Sequence, residues 1–172
     1  KTTRLPPPAV INTSPPVEQK DKPIAIYDFG IANGLPAKFI TSLIRDRNGL
    51  MWIGSREGIF RFDGEHIYTF LPGPILPFIA GMAEDNKGRI WYIDAGGIGM
   101  IDPQRSVGNF SGRLTAVPEN ITKIFKDDKG LLWLYNFSDK AVSVIDPETL
   151  TFKNITVKQG LSDSSFFQAE QD

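Results

Sequence analysis

Short apolar segments separated by turn residues run along most of the chain, and they form three sets with the same internal order. Each set predicts four short strands, because apolar and polar residues alternate over four to seven positions between Gly, Asp, Asn and Pro. The predicted strands are residues 39–45, 50–54, 59–62 and 66–70 in the first set, 78–84, 89–93, 98–101 and 107–110 in the second, and 121–126, 131–135, 141–145 and 151–155 in the third.

One turn motif recurs between the first and second strand of every set. Gly follows Asp by three residues, and Trp follows Gly by three. An Asp side chain at the start of a turn accepts amides just ahead of it, and Gly at the fourth position tolerates positive φ. All three Trp of the chain occupy this motif, so the pattern is a repeat of about 40 residues. The motif residues are Asp46, Gly49 and Trp52, then Asp85, Gly88 and Trp91, then Asp127, Gly130 and Trp133.

The second strand of each set carries apolar side chains on both faces, as in Met51-Trp52-Ile53. Such a strand has to be covered on both sides, as when one small sheet stacks on the next. Four-stranded antiparallel sheets of about 40 residues stacked around an axis are the blades of a β-propeller. The sequence therefore predicts an all-β fold made of propeller blades.

The predicted division of the chain gives about 3.5 blades of a larger propeller. Since propellers close with about four to eight blades, we expect the chain to be part of a longer protein, and its open end blades to favour association between copies through apolar faces and strand edges. The predicted parts are a Pro-rich tail or linker (1–23), a lone outer strand (24–29), blade 1 (34–70), blade 2 (75–110), blade 3 (117–155) and the first strand of a fourth blade (160–172).

Composition narrows the function classes. The formal net charge is −1, with 19 basic and 20 acidic residues and no basic stripe, so we expect no nucleic-acid partner. No apolar run reaches the roughly 18 residues of a membrane span, and no membrane contact is expected of this segment. The absence of Cys excludes disulfides and thiol catalysis, and the single histidine, His66, excludes multi-histidine metal sites. No metal or other cofactor is expected.

The first repeat resembles the two-component regulator propeller repeat. The resemblance is carried by Gly34-Leu35-Pro36, residues 40–46, the segment 48–55 and the segment 57–64. It extends over residues 24–172, although repeats two and three differ from the family pattern after their Trp. The resemblance implies the periplasmic sensor region of Bacteroides-type hybrid two-component histidine kinases, in which such propellers precede a membrane span and a kinase. These systems commonly respond to glycan breakdown products.

The repeated residues have a structural and a chemical interpretation. The Trp side chains are expected in blade-to-blade packing, although aromatic rings can also stack on sugars. The Asp carboxylates are expected in turns, since one per blade keeps them apart around the ring. A glycoside-hydrolase pair, a metal site or a sialidase-type Asp box is the alternative for them. His66, at the start of an outer strand, is interpreted as solvated rather than as a phosphoacceptor or general base.

Loops that differ between blades are the candidate binding residues, because loops on a rigid scaffold carry recognition. The leading hypothesis is a non-catalytic ligand-sensing module that binds an oligosaccharide in the full-length protein. The alternatives are a secreted interaction scaffold and a propeller lyase or hydrolase. The candidate ligand-binding residues are Arg56 and Glu57 in the first blade, Asp94 in the second, and Asn136, Asp139 and Lys140 in the third.

Overall fold

The structure is a computed structural model that describes residues 2–72, 78–104, 106–109, 121–136, 141–156 and 158. Within this part of the chain the regular structure is almost entirely β. A 3-10 turn at Ile31–Asn33 interrupts the strands. In chain order the strands are β1 (Thr2–Arg4), β2 (Ala9–Asn12), β3 (Val17–Glu18), β4 (Tyr27–Asp28), β5 (Ile40–Arg45), β6 (Met51–Ser55), β7 (Gly58–Phe62), β8 (His66–Pro72), β9 (Gly81–Glu84), β10 (Ile90–Asp94), β11 (Gly97–Asp102), β12 (Ser106–Asn109), β13 (Ile121–Lys126), β14 (Leu132–Asn136), β15 (Ala141–Asp146) and β16 (Thr151–Ile155).

Each repeat forms one antiparallel meander, so the predicted β-propeller blades are confirmed. Strands β5 to β8 form blade 1, β9 to β12 form blade 2 and β13 to β16 form blade 3, each in sequential order. The first strands lie side by side, β5 next to β9 and β9 next to β13. They are therefore the innermost strands of neighbouring blades, and the fourth strands lie at the outer edges.

The repeated turn has the same backbone geometry in all three blades. The turn glycines Gly49, Gly88 and Gly130 have φ of 84°, 80° and 84°. This left-handed region is one that side chains other than glycine rarely adopt, which explains why the fourth turn position is Gly in every copy. In each turn the glycine amide donates to the carbonyl of the repeat Asp, at 2.9, 3.0 and 3.1 Å.

Two apolar cores lie between neighbouring blades. Between blades 1 and 2, Trp52 of β6 packs with residues of blade 2 such as Met82 and Tyr92. Between blades 2 and 3, Trp91 takes the same place and packs with Ile124 and Leu134. Both tryptophans are 0% exposed, as expected for side chains that join one blade to the next. Trp133 of blade 3 is only partly buried.

A third core lies on the face of blade 1 that points away from blade 2. Leu35 and Ala37 of the segment before β5 pack there on Ile53, Phe60 and Ile67. The covering is incomplete. Leu43, on the innermost strand of the same blade, remains 54% exposed.

The N-terminal 23 residues differ from the predicted tail. Strand β2 pairs antiparallel with β8 and adds a fifth strand to the outer edge of blade 1, and β1 does the same at β12 of blade 2. The prolines at 6–8 lie between these two strands, where their missing N–H groups cost no ladder bond. The segment predicted as a Pro-rich tail or linker thus carries short strands at the edges of two blades. Its pairing partners lie more than 50 residues away in sequence, and no local pattern points to them.

The predicted lone outer strand at 24–29 is also placed differently. Only Tyr27–Asp28 is extended, as β4, and it pairs with β3 rather than with a blade. The predicted fourth-blade strand at 160–172 lies outside the described residues.

Candidate functional site

The repeat aspartates bind their own blades with both carboxylate oxygens. In blade 1, Oδ1 of Asp46 accepts the amides of Asn48 and Leu50, each at 2.9 Å. Its Oδ2 accepts the indole N–H of Trp52 at 2.9 Å. The same Trp-to-Asp bond measures 2.7 Å from Trp91 and from Trp133 to their own aspartates. Asp and Trp, six residues apart, thus form a link from the turn to the second strand in every blade.

The electrostatics of these carboxylates fit a structural role. Burial opposes ionisation of Asp127, but the Trp133 indole and the amides of Leu131 and Lys129 outweigh it, so the Asp127 pKa lies below its ordinary value. Asp85 is fully buried, and besides Trp91 it accepts the Arg89 Nε–H at 2.5 Å. The lowered pKa favours the ionised form of Asp127, and the hydrogen bonds hold each of these carboxylates in its turn.

The arrangement does not bring the repeat aspartates together. Each carboxylate is directed into its own turn and occupied by its own backbone amides and indole. In the described part of the chain, no group of three His, Asp or Glu residues could hold a metal ion. The repeat therefore supplies no convergent pair of acids.

The candidate loops of blades 1 and 2 lie at the opposite end of the blades from the Asp turns. Ile40, at the start of β5, pairs with Ser55 at the end of β6, and Gly81, at the start of β9, pairs with Ile93. The loop that carries Arg56 and the loop that follows Asp94 are hence next to the starts of the innermost strands. Ends of innermost strands surround the propeller axis, so this loop end is where a ligand can meet several blades.

Two exposed aromatic rings stand at this loop end, and neither was among the residues selected from the sequence. Phe39 is 61% exposed and Phe78 is 40% exposed. The Arg56 guanidinium carbon lies 5.6 Å from the centroid of the Phe39 ring, a cation–π distance. Each Phe precedes the repeat Asp of its own blade by seven residues. This shared spacing is the feature of the sequence from which the two rings could have been selected.

Close packing at Gly54 joins Phe78 to the same loop. A Cβ on Gly54 would lie 2.8 Å from Ile79 Cγ2, so β6 and the segment before β9 touch at this point. Phe78 precedes Ile79, and Arg56 follows Gly54 by two residues. Because these two segments touch, we group Phe39, Arg56 and Phe78 as one candidate site at the boundary of blades 1 and 2, the loop-end aromatic site.

Two acidic residues lie at the same end of the blades. Glu57 follows Arg56, and its Oε2 is buried without a hydrogen-bond partner among the described residues. In the next blade, burial raises the pKa of Asp94, although the Gly96 amide donates to its Oδ1 at 2.8 Å. Burial also raises the pKa of Tyr92 to about 12, with the nearby Asp94 carboxylate adding to the effect.

The third-blade candidates are mostly outside the described residues. Asn136 ends β14, at the same end of the blade as Arg56 and Asp94. Asp139 and Lys140 are not among the described residues. His66 lies at another place, on the outer strand β8, where its Nδ1 is 3.6 Å from Asp63 Oδ2 and its side chain is 36% exposed.

Comparison with protein families supports the resemblance seen in the first repeat. Residues 34–57 match the family model described as "Two component regulator propeller". The matched segment contains β5 and β6 and ends at Glu57, so it includes Phe39 and Arg56. No curated protein sequence matches the chain.

Solved structures share the fold at low sequence identity. Two are described as extracellular domains of hybrid two component systems from B. thetaiotaomicron. One has a TM-score of 0.66 at 18% identity and covers 91% of this chain and 23% of its own. The other has a TM-score of 0.55 at 23% identity and covers 69% of this chain and 18% of its own. This chain thus spans less than a quarter of either domain.

An enzyme with the same fold is also similar. Virginiamycin B lyase from Staphylococcus aureus has a TM-score of 0.62 at 15% identity, over 80% of this chain and 46% of its own. A fold shared at such identity does not fix a function, which depends on the site.

In the described residues, no helix is long and apolar enough to cross a membrane.

Proposed function

We propose that this chain is a ligand-sensing part of the periplasmic propeller of a hybrid two-component histidine kinase. The observation that carries the proposal is the match of residues 34–57 to the two component regulator propeller, since that segment also holds Phe39, Arg56 and Glu57 of the loop end. The kinase itself is not part of this chain, and the proposed role is binding without catalysis.

The chemistry of the loop-end aromatic site suits a glycan-derived ligand. The exposed faces of Phe39 and Phe78 offer apolar surfaces for the C–H face of a sugar ring, and such sites combine aromatic walls with a few polar groups. Arg56 carries five N–H donors and suits ring hydroxyls or a uronic-acid carboxylate. Asp94, which ends β10 at the same end of its blade, would accept hydroxyl groups on the blade 2 side of the ligand.

Signal transmission follows from the way blades 1 and 2 share the site. Phe39 and Arg56 belong to blade 1 and Phe78 precedes blade 2, so a ligand that contacts all three favours one relative arrangement of the two blades. A ligand shifts an equilibrium only by its differential affinity for the two states. Binding across a blade boundary provides such a difference in affinity. The resulting change in blade packing would be transmitted toward the membrane.

A propeller lyase is the second candidate, because a lyase shares the fold and Asp94 has a raised pKa near the loop end. A buried carboxyl of raised pKa is a feature of general acids. The sensor remains preferred since the repeat carboxylates Asp46, Asp85 and Asp127 are occupied by backbone amides and indoles. A secreted interaction scaffold is a third candidate, but no contact among the described residues supports it.

Calorimetric titration with neutral and uronic-acid oligosaccharides tests the proposal. The sensor predicts saturable binding of one class without turnover, and at least tenfold weaker binding for Phe39→Ala and Arg56→Ala, about 1.4 kcal/mol or more. Lys38→Ala is the matched control, because Lys38 is an exposed neighbour of Phe39. Product formation that disappears in Asp94→Asn would favour the lyase, and binding unchanged in both site variants would contradict the assigned site.

A further inference from the structure

The boundary between blades 1 and 2 is held differently at its two ends. At the end that carries the Asp turns, Arg47 of the first turn reaches over the turn of the next blade. Its amide and its Nε–H donate to Oε2 and Oε1 of Glu84 at 2.8 and 2.6 Å. Its terminal nitrogens donate to the backbone carbonyls of Asn86, at 3.0 Å, and of Asp85. One residue of blade 1 thus binds three consecutive residues of blade 2.

The boundary between blades 2 and 3 has more charged contacts at the same end. The Lys126 ammonium donates to Asn86 Oδ1 at 2.9 Å. An Nη–H of Arg89 donates to Glu148 Oε1, at the turn between β15 and β16, at 3.2 Å. Lys87 forms a second ion pair with the same carboxylate. Several side chains therefore share the work of joining these two blades.

Blade 1 lacks the cations that make those additional contacts. The residues two and four after the repeat Asp are Lys87 and Arg89 in blade 2 but Asn48 and Leu50 in blade 1, and neither of the latter is charged. Among the described residues, the ion pair that Arg47 makes is hence the single one across the first boundary, whereas two cross the second. The Asp-turn end of the first boundary depends on one cation.

The loop end of the first boundary is held by apolar contact. A Cβ on Gly54 would lie 2.8 Å from Ile79 Cγ2, so the two blades touch there. The cation at this end, Arg56, lies over the Phe39 ring of its own blade, and no ion pair between described residues crosses the boundary here. Hydrogen bonds are directional, whereas apolar contact is not. A boundary fixed by directed bonds at one end only can rotate about that end.

A small rotation is enough to change the loop-end aromatic site. Strand β6 has five residues and spans the distance between the two ends of the blade. At about 3.4 Å per residue this distance is roughly 17 Å, so a rotation of about 10° displaces the loop end by about 3 Å. Apolar groups are in contact within about 4.0–4.5 Å, and a displacement of that size breaks such contacts.

We propose that Arg47 is a positioning residue for the loop-end aromatic site, because it is the pivot of a hinge between blades 1 and 2 whose angle sets the spacing of Phe39 and Phe78. The inference rests on the proposed ligand-sensing function of that site. Weakening the pivot populates arrangements in which the two rings do not contact one ligand together. The apparent Kd then rises as the competent fraction falls. Blades 2 and 3, which have more links, move together.

Distances between spin labels measure the hinge without a ligand. The chain has no cysteine, so labels can be attached at Lys38→Cys and Ala95→Cys, exposed residues at the loop ends of blades 1 and 2. Labels at Ala95→Cys and Thr122→Cys report on the second boundary in the same way. Arg47→Ala should shift or broaden the first distance distribution by about 3 Å or more, the displacement of a 10° rotation, and leave the second unchanged.

Lys87→Ala is the matched control, because it removes a cation of the same end that pairs across the second boundary. It should leave the first distance unchanged. Arg47→Lys should give an intermediate result, since an ammonium keeps the ion pair with Glu84 but not the planar set of bonds to the turn carbonyls. A first distance that Arg47→Ala leaves unchanged, or that Lys87→Ala alters equally, would overturn the proposal.

Calorimetric titration with the neutral and uronic-acid oligosaccharides tests the coupling of the hinge to the site. With a class that binds the unsubstituted chain, Arg47→Ala should raise the Kd at least about fivefold and Lys87→Ala less than about twofold. An altered label distance with unchanged affinity would refute the positioning role. If no oligosaccharide binds the unsubstituted chain, the proposed function fails and the positioning role with it, whereas a label distance altered by Arg47→Ala alone would still support the hinge.

Discussion

Each repeat aspartate holds its turn with one carboxylate oxygen and its tryptophan with the other. In blade 2, Asp85 is buried, and the distances to the Arg89 amide and the Trp91 indole are 3.0 and 2.7 Å. Hydrogen bonds to an ionised acceptor are stronger than neutral ones, and an unpaired buried carboxylate would be costly. The link therefore fixes the indole at the angle at which it enters the core between blades. Residue spacing alone predicted the turn and the buried ring, but the bond between them depends on strand twist and could not be read from sequence.

The turn at Asp63, between β7 and β8, gives a prediction for how stability depends on pH. The Glu65 amide lowers the pKa of Asp63 most; burial opposes it, but the His66 amide and the Tyr68 hydroxyl add to the lowering, and the pKa falls from 3.8 to about 2. The folded-state pKa lies below the unfolded one, so the stability that Asp63 contributes is fully present above pH 3.8 and is lost as the pH falls toward about 2. An NMR titration of the Asp63 carboxyl should give a midpoint near 2.

Substitution provides the matched control for that titration. Asp63→Asn should reduce the slope of unfolding free energy against pH between 3.8 and about 2, the interval between the two pKa values. A midpoint close to 3.8 for Asp63, or an acid slope that Asp63→Asn leaves unchanged, would show that the turn hydrogen bonds are not formed in solution.

At the scale of elements, the strands of the three blades could be predicted because their apolar pattern and turn residues are local. Strands β13 and β16 have the predicted bounds, and most of the other blade strands differ by one or two residues at an end. The predicted strand at 78–84 starts only at Gly81, because residues 78–80 continue the loop against blade 1. Strands β1 to β3 were missed since two- to four-residue strands between prolines have no period of their own. Likewise Phe39 and Phe78 were interpreted as strand residues, whereas their exposure depends on the neighbouring blade.

A glycine in β6 tests how closely elements of different blades approach. Gly54→Ala should destabilise the chain by about 1–3 kcal/mol, as expected for an overpacked core, because its Cβ would lie 2.8 Å from Ile79 Cγ2. Urea unfolding measures the loss. Combining Gly54→Ala with Ile79→Ala should cost less than the sum of the single changes, as the clashing methyl is removed.

Gly30→Ala is the control for that experiment. Gly30 has an extended φ of −153°, and a Cβ at this residue would have no atom within 4 Å, so its substitution should leave stability nearly unchanged. Strict additivity of Gly54→Ala and Ile79→Ala would mean that the two blades do not meet at this point.

At the scale of the whole molecule, the N-terminal segment connects two blades by pairing with the outer strand of each. Strand β2 closes the outer edge of blade 1 and β1 that of blade 2, so one segment of the chain bridges two blades at their rims. Edge strands left open are sites of unwanted pairing, and covering them is a common protection. The rim strands and the cores around Trp52 and Trp91 together make the stack of blades one unit.

Removal of residues 1–12 should therefore loosen the rims of blades 1 and 2. Amide hydrogen exchange should become faster in β8 and β12, because they lose antiparallel partners. Strand β16 of blade 3 is the internal control, since neither β1 nor β2 pairs with it. Unchanged protection of β8 and β12 after the deletion would show that the N-terminal strands are not formed.

The three indole N–H groups offer the most direct measurement of the repeated Asp–Trp link on which the stack of blades depends. The chain has three tryptophans, so a ¹⁵N correlation spectrum contains three indole signals that can be followed one by one. We predict that all three exchange slowly with solvent, and that Asp46→Asn, Asp85→Asn and Asp127→Asn each shift mainly the indole of Trp52, Trp91 and Trp133, respectively. Rapid exchange of all three indoles, or shifts that do not follow this pairing, would contradict the account.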